Sequence, residues 1–123
     1  EADVELLKKM VDMMNQNRGA NWIDLHNLRI IKYGPTIHLD CHLTVPWYFN
    51  VHEAHREIDE LSELVRKHYG ESVELFVHSD GCLDYSCSIC DIKECRVRKR
   101  PFEKKIRWTI NNIASNNKHH LQT

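Results

Sequence analysis

The stretch IHLDCHLTV, residues 37–45, alternates strictly between apolar and polar side chains. Successive side chains of a β-strand point to opposite faces of the sheet, so this alternation predicts a strand with one face in the core. The apolar set contains Ile37, Leu39, Cys41, Leu43 and Val45, and the polar set contains His38, Asp40, His42 and Thr44. We therefore expect a buried thiol at Cys41 and an imidazole on the polar face at His42.

Upstream of this strand, the pattern predicts a helix and a second strand. Apolar side chains recur at helical spacing over residues 3–17 and are followed by Arg18-Gly19, which is a typical helix stop. Residues 23–33 predict a strand that ends at Gly34-Pro35. Leu28 and Ile30 differ in parity from Ile31 and Tyr33, so we expect an irregular or an edge strand.

Downstream, the pattern predicts one more helix and one more strand. Asn50 followed by Glu53 forms a capping-box signature, and the apolar stripe after it predicts a helix that ends at Gly70. Residues 73–78 predict a third strand, closed by Ser79-Asp80-Gly81. The order helix, strand, strand, helix, strand over residues 1–81 predicts an α+β open sandwich, with helices on one face of a small sheet.

Residues 82–123 form an extension that begins with a cysteine cluster. Its members follow the spacing C-x4-C-x2-C-x4-C and are Cys82, Cys87, Cys90 and Cys95. The favoured interpretation is a closed tetrahedral zinc site, because four clustered cysteines are hard to explain by core packing. An iron–sulfur cluster, disulfides and free thiols are alternatives that the spacing leaves open.

The rest of the extension predicts a helix and a polar tail. The helix is expected to open at Pro101 and to place four apolar side chains in the core: Phe102, Ile106, Ile110 and Ile113. Residues 116–123 are expected to fray, with His119 and His120 solvated.

Length and composition restrict the class of protein. The chain has 123 residues and a formal net charge of −1, which favours one compact unit without a general attraction to nucleic acid. No apolar stretch approaches the ~20 residues that cross a bilayer, and no secretory signal is recognisable, so we expect a soluble polypeptide. It begins inside a predicted helix without an initiator methionine, and we therefore expect it to be part of a longer chain.

Nine histidines and five cysteines in so short a chain point to metal binding, because imidazole and thiolate are the usual ligands of zinc. His42 lies on the polar face of its strand, while His78 and Asp80 lie at the end of the third strand. Side chains on one face of neighbouring strands can converge on an ion. His26 and His55 are isolated in sequence, and spacing alone favours a surface or hydrogen-bonded imidazole for each histidine.

Five separated features together resemble the cytoplasmic domain of cation diffusion facilitators. They are DLHNLR at residues 24–29, Gly34-Pro35, His42 in mid-strand, HEAH at residues 52–55 and VHSD at residues 77–80. The similarity covers residues 3–81 with compatible spacing. It implies a metallochaperone-like (ferredoxin-like) αββαβ fold that dimerises below the membrane and binds zinc or a related ion near the subunit interface.

The same resemblance implies a ligand set and a function. By position, the ligands are His26, His42, His55, His78 and Asp80. Three further polar residues fall outside the family positions and are expected at the surface: His38, Asp40 and His52. The implied function is a metal-sensing dimerisation domain of a proton-coupled divalent cation efflux transporter, on the cytoplasmic side of the cell membrane. Its expected partners are a second copy of the chain and the transmembrane part of its own full-length chain, with no nucleic acid and no small-molecule substrate other than metal ions. Zinc is the expected ion, and manganese, iron and cobalt use the same ligand types.

Two other classes of function fit parts of the sequence. A nucleic-acid-binding module would combine a zinc knuckle at residues 82–95 with phosphate contacts from the basic stretch at residues 96–107. A Cys–His enzyme is disfavoured, because the adjacent Cys41 and His42 point to opposite faces of a strand. The histidines of HEAH are three residues apart, whereas the zinc-protease motif places them four apart. We therefore expect no enzymatic activity.

Overall fold

The computed structural model describes residues 4–121, and its helices and strands follow the expected order. They are helix α1 (Val4–Gln16), strand β1 (Asp24–Tyr33), strand β2 (Thr36–Val45), helix α2 (Val51–Tyr69), strand β3 (Glu74–Gly81), a 3₁₀ helix (Asp84–Ile89) and helix α3 (Ile110–Ile113). The predicted helix start at Asp3 and the last two residues of the predicted tail lie outside the described residues. This arrangement is the α+β sandwich that the sequence predicts.

The sheet has the strand order β1-β2-β3, with β2 in the centre. Strands β1 and β2 pair in antiparallel fashion through the tight turn at Gly34-Pro35, whereas β2 and β3 pair in parallel. A parallel pair needs a crossover, which α2 provides. The crossover brings the C-terminal ends of β2 and β3 to the same edge of the sheet.

Strand β1 carries a β-bulge where its register with β2 shifts, between His26 and Arg29. Asn27 has φ 53° there, in the left-handed region that Asn tolerates better than most residues. The extra residue changes which parity of the strand faces the core, so Leu28 and Ile30 are buried although they differ in parity from Leu25. The irregularity that the sequence predicts is therefore confirmed.

The apolar face of the sheet packs against both long helices. The core contains Met10 and Met14 from α1, Leu61 and Val65 from α2, and Cys41 from β2. The capping box expected at the start of α2 is present, since the Asn50 side chain accepts from the Glu53 N–H and the Glu53 side chain accepts from the Asn50 N–H. Both the helix start and the buried thiol at Cys41 are confirmed.

The C-terminal helix is present but is much shorter than predicted. It comprises Ile110–Ile113, and residues 101–109 form no helix. The expectation that Phe102 is buried is wrong, because 43% of its surface is exposed. Instead Trp108, at 1% exposure, fills the core from an extended segment, and the Asn15 side chain bonds both its N–H and its carbonyl oxygen. These bonds pair the N–H and the carbonyl oxygen of Trp108 without a helix. Helix α3 accordingly starts after Thr109, which is its N-cap.

A second, smaller apolar cluster lies under the cysteine-rich segment. It is formed by Ile23, Ile89 and Cys90, with Ile106 and Leu121 packed against it. This cluster joins the start of β1 to the extension. Among residues 4–121, no helix is long and apolar enough to span a bilayer.

Candidate metal centre

Histidines from all three strands form one row across the polar face of the sheet. His26 on β1 pairs with His42 on β2, and His42 pairs with His78 on β3. Cross-strand partners share a face, so the register brings together three imidazoles that are distant in the chain. The ring centroids of His26 and His42 are 5.0 Å apart, and those of His42 and His78 are 4.7 Å apart.

Carboxylates occupy the next row on the same face. Thr44 pairs with Asp24 on β1 and with Asp80 on β3. The Oδ2 atom of Asp80 lies 3.1 Å from Nδ1 of His42 and 3.6 Å from Nε2 of His26. Ligand atoms of His26, His42 and Asp80 lie within 4.8 Å of one another, and among residues 4–121 this is the one such group of three His, Cys, Asp or Glu residues. We refer to these three residues as the His–Asp cluster.

The His–Asp cluster has the chemistry of a cation site. Burial lowers the pKa of the His26 imidazole, which favours the neutral form that a metal ligand requires. Its Nδ1 atom is buried without a hydrogen-bond partner, as is Oγ1 of Thr44 on the same face. Buried polar atoms are nearly always paired in folded proteins. The His26 nitrogen that faces Asp80 is Nε2, and together with Nδ1 of His42 and Oδ2 of Asp80 it forms a donor set that fits a cation.

The C-terminal segment crosses this face of the sheet, and we refer to residues 114–121 as the strap. Arg29 on β1 donates to the carbonyl oxygen of Ala114 at 3.0 Å. The Lys118 ammonium lies 3.4 Å from Oδ2 of Asp80, the same oxygen that contacts both histidines of the cluster. The strap thus places a positive charge against the carboxylate of the His–Asp cluster.

His119 attaches the strap to β1, so the expectation that this residue is solvated in a fraying tail is wrong. Its backbone N–H donates to Oδ2 of Asp24 at 2.7 Å, its Nδ1 contacts Oδ1 of Asp24, and its Nε2 contacts the carbonyl oxygen of Asn112. Burial lowers the pKa of His119, but the hydrogen bond and charge of Asp24 outweigh burial and raise it above the ordinary value. His120 is exposed as expected, with its ring 4.7 Å from Tyr85.

Two of the five predicted ligands lie outside the His–Asp cluster. His78 is exposed, although its ring stacks on His42. His55 is exposed on α2, and its Nδ1 lies 3.3 Å from Oδ2 of Asp59. His55 and Asp80 nevertheless line the same cleft, whose volume is about 300 Å³.

The polar residues that were expected at the surface lie there or near it. His38 is half-buried and contacts Asp40 at 3.4 Å and Glu74 at 3.8 Å, while His52 is exposed on α2.

Two residues beside the His–Asp cluster, Asp24 and Lys118, were not predicted from the sequence. Asp24 stands inside the DLHNLR motif, which could have marked it, whereas no local pattern distinguishes Lys118.

The four cysteines of the extension line a second cavity of about 20 Å³. Cys41 is not among them, because it lies in the main core, where burial raises its pKa to about 12. No disulfide links any of the five cysteines.

The fold and the His–Asp cluster define a small α+β domain with a histidine–carboxylate cluster on its sheet. Over residues 3–82, the sequence matches the family model described as the cytoplasmic domain of cation efflux proteins. The chain therefore belongs to this family. The match spans all three strands and the complete His–Asp cluster, and it gives no support to a nucleic-acid-binding module. No protein with a curated description is significantly similar in sequence.

Several solved structures share this fold. CzrB, named as a candidate zinc transporter, is 22% identical with a TM-score of 0.60 and matches 68% of this chain and 100% of its own. A variant of the MamM C-terminal domain in its zinc form is 16% identical, with a TM-score of 0.55 and 65% and 87% coverage. The metal-bound C-terminal domain of the CzcD transporter from Thermotoga maritima is 14% identical, with a TM-score of 0.53 and 66% and 94% coverage. At these identities the similarity establishes the fold.

Proposed function

We propose that this chain is the metal-sensing, dimer-forming domain of a proton-coupled divalent cation efflux transporter, and that zinc is the ion it senses. The observation that carries the proposal is the convergence of His26, His42 and Asp80 from three strands of the family domain. Two imidazole nitrogens and a carboxylate oxygen are a ligand set that suits Zn²⁺. Metal-bound forms of MamM and CzcD domains with this fold support the same conclusion.

The remaining ligands are proposed to be His78 and His55. The ring of His78 stacks on His42 and so lies beside the cluster, and a side-chain rotation would turn a nitrogen towards the ion. His55 stands across the cleft that Asp80 lines, and movement of the exposed His55 side chain or closure of a second subunit could complete the coordination. The domain senses the ion without covalent chemistry, so no enzymatic activity is part of the proposal.

The proposed partners are a second copy of the chain and the transmembrane part of the full-length transporter. Exposed apolar side chains stand beside the cleft, with Trp47 58% and Val51 83% exposed. Burying them between two subunits would place the metal site next to the subunit boundary. We assign residues 1–81 to the dimerisation domain and residues 82–123 to an extension, although Trp108 and Ile113 of the extension also complete the main core.

A zinc titration tests the His–Asp cluster directly. The titration is performed on the chain with Cys87→Ser and Cys90→Ser, so that the extension cannot supply four thiolates. The double substitution His42→Ala with Asp80→Asn is made in this background and compared with it. We expect the latter to lose saturable zinc binding. A control with the same change in composition, His52→Ala with Asp12→Asn, alters exposed helix positions and should bind normally. Unchanged binding after the substitution at His42 and Asp80 would refute the assignment.

Light scattering during the same titration tests the sensing step. If zinc couples to dimerisation by about 1–3 kcal/mol, the typical range of allosteric linkage, the dimer constant should rise ~5- to 150-fold. A chain that binds zinc but stays monomeric at every zinc concentration would contradict the sensing function while leaving the site intact.

A further inference from the structure

The four cysteines of the extension surround one small cavity at the end of the sheet. Cys82 directly follows β3, Cys87 lies in the 3₁₀ helix, Cys90 follows that helix, and Cys95 lies in the loop beyond it. The cavity that they line has a volume of about 20 Å³. Such a volume admits about one water-sized sphere. It therefore has room for a single ion and excludes an organic ligand.

Arg98 holds the cysteine loop around this cavity, and we refer to residues 82–95 together with Arg98 as the cup. Its guanidinium donates to the carbonyl oxygens of Cys87 at 2.8 Å, Cys90 at 2.7 Å and Ile92 at 3.0 Å. These bonds fix three points of the loop at once, and Arg98 itself forms part of the cavity wall. A guanidinium in this position offsets negative charge that develops on neighbouring thiolates.

Backbone N–H groups point at two of the sulfur atoms. The N–H of Trp47 donates to Sγ of Cys82, and the N–H of Lys99 donates to Sγ of Cys87, each over 3.4 Å. These bonds fix the positions of two of the four cysteines that line the cavity.

We propose that Cys82, Cys87, Cys90 and Cys95 together bind one divalent cation of the zinc class, and that this second metal site anchors the C-terminal extension. Four thiolates complete the tetrahedral shell of a closed structural zinc site. Among the described residues no three of the cysteine sulfurs lie within 4.8 Å of one another, so binding would draw the loop of residues 82–95 inward. The proposal is independent of the sensing function.

Closure of the cup has a consequence for the strap. Cys90 belongs to the small apolar cluster against which Leu121 packs, at the end of the strap. A cation that fixes Cys90 therefore also fixes one attachment of the segment that lies across the His–Asp cluster. Loss of the cation should loosen the strap and leave the sandwich folded.

Cobalt substitution tests the thiolate site on the whole chain. The sensing site is first removed with His42→Ala and Asp80→Asn, and the reduced, metal-free protein is titrated with Co²⁺. We expect saturation at one ion per chain, with sulfur-to-cobalt charge-transfer absorption, and displacement of cobalt by zinc. Cys87→Ser with Cys90→Ser should abolish this absorption. Cys41→Ala, which also removes a thiol, should leave it unchanged because Cys41 lies outside the cup.

Limited proteolysis and circular dichroism test whether the ion anchors the extension. Limited proteolysis with and without zinc should show that the ion protects residues 82–121 in the wild type and not in the variant lacking Cys87 and Cys90. Circular dichroism establishes that this variant remains folded. Absence of charge-transfer absorption in the wild-type cup, two disulfides after aerobic purification, or iron with inorganic sulfide in the purified protein would each overturn the proposal.

Discussion

Replacement of Lys118 by methionine should increase the affinity of the His–Asp cluster for zinc. The ammonium of Lys118 lies 3.4 Å from Oδ2 of Asp80 and so occupies the neighbourhood in which a metal ion would bind. A zinc ion at Asp80 must displace this group or tolerate its repulsion. Methionine keeps most of the aliphatic side chain and removes the charge, so packing of the strap should change little.

The size of the effect follows from the ion-pair geometry. Two unit charges at 3.4 Å attract by about 5 kcal/mol when the effective dielectric constant is ~20. The side chains of Lys118 and Asp80 are 20% and 23% exposed, so solvent screening and side-chain entropy reduce this value to about 1–2 kcal/mol. Because a factor of ten in affinity corresponds to ~1.4 kcal/mol, the substitution should tighten zinc binding ~5- to 30-fold.

The assay is a competition titration of zinc against a chromophoric chelator at pH 7, on the chain with its cysteines intact, and zinc that still binds after His42→Ala with Asp80→Asn is subtracted. Lys118→Arg keeps the charge and should bind like the wild type, and Lys67→Met, at an exposed position in the last turn of α2, is the matched control. The gain should shrink as the salt concentration rises, because screening weakens the pair. Equal affinity of Lys118→Met and wild type, with normal binding by both, would refute the idea that the strap competes with the ion.

Three other predictions concern stability and are measured by urea unfolding. Trp108→Ala should lower the free energy of unfolding by about 3–5 kcal/mol because it empties a buried site, whereas Trp47→Ala, at an exposed site, should cost far less; equal losses would contradict this placement. Asn50→Ala removes the α2 cap and should cost about 1 kcal/mol, and no change would mean that the capping box is not formed in solution. Because the pKa of His119 is raised in the folded state, its stabilising contribution should be complete below pH ~6.5 and vanish as the pH rises through the folded pKa. The stability difference between wild type and His119→Gln should therefore be largest at low pH, and a difference that grows with pH would exclude a protonated His119 paired with Asp24.

The strands and helices of the sandwich were predictable because their signals are local. The alternation around Cys41 needs only neighbouring residues to define a half-buried strand, and the capping box of Asn50 and Glu53 closes within one helical turn. The parity change between Ile30 and Ile31 predicted an irregular or edge strand, whereas the bulge itself lies earlier, between His26 and Arg29. The C-terminal helix was predicted too long because the apolar spacing over residues 101–113 resembles that of a helix. The bonds from Asn15 to Trp108 join residues that are 93 positions apart, and no local pattern can indicate them.

The candidate metal site was also predictable from the sequence only in part. The sequence by itself determined which residues could be ligands, because imidazole, carboxylate and thiolate chemistry is a property of the side chain and the family motifs mark their positions. Only the tertiary structure decided which of them meet. The strand register aligns His26, His42 and Asp80, leaves His55 on the helix surface, and lets the strap bring Lys118 to the same carboxylate. Distances of this kind depend on contacts between residues far apart in the chain, whose geometry is set by packing of the whole domain.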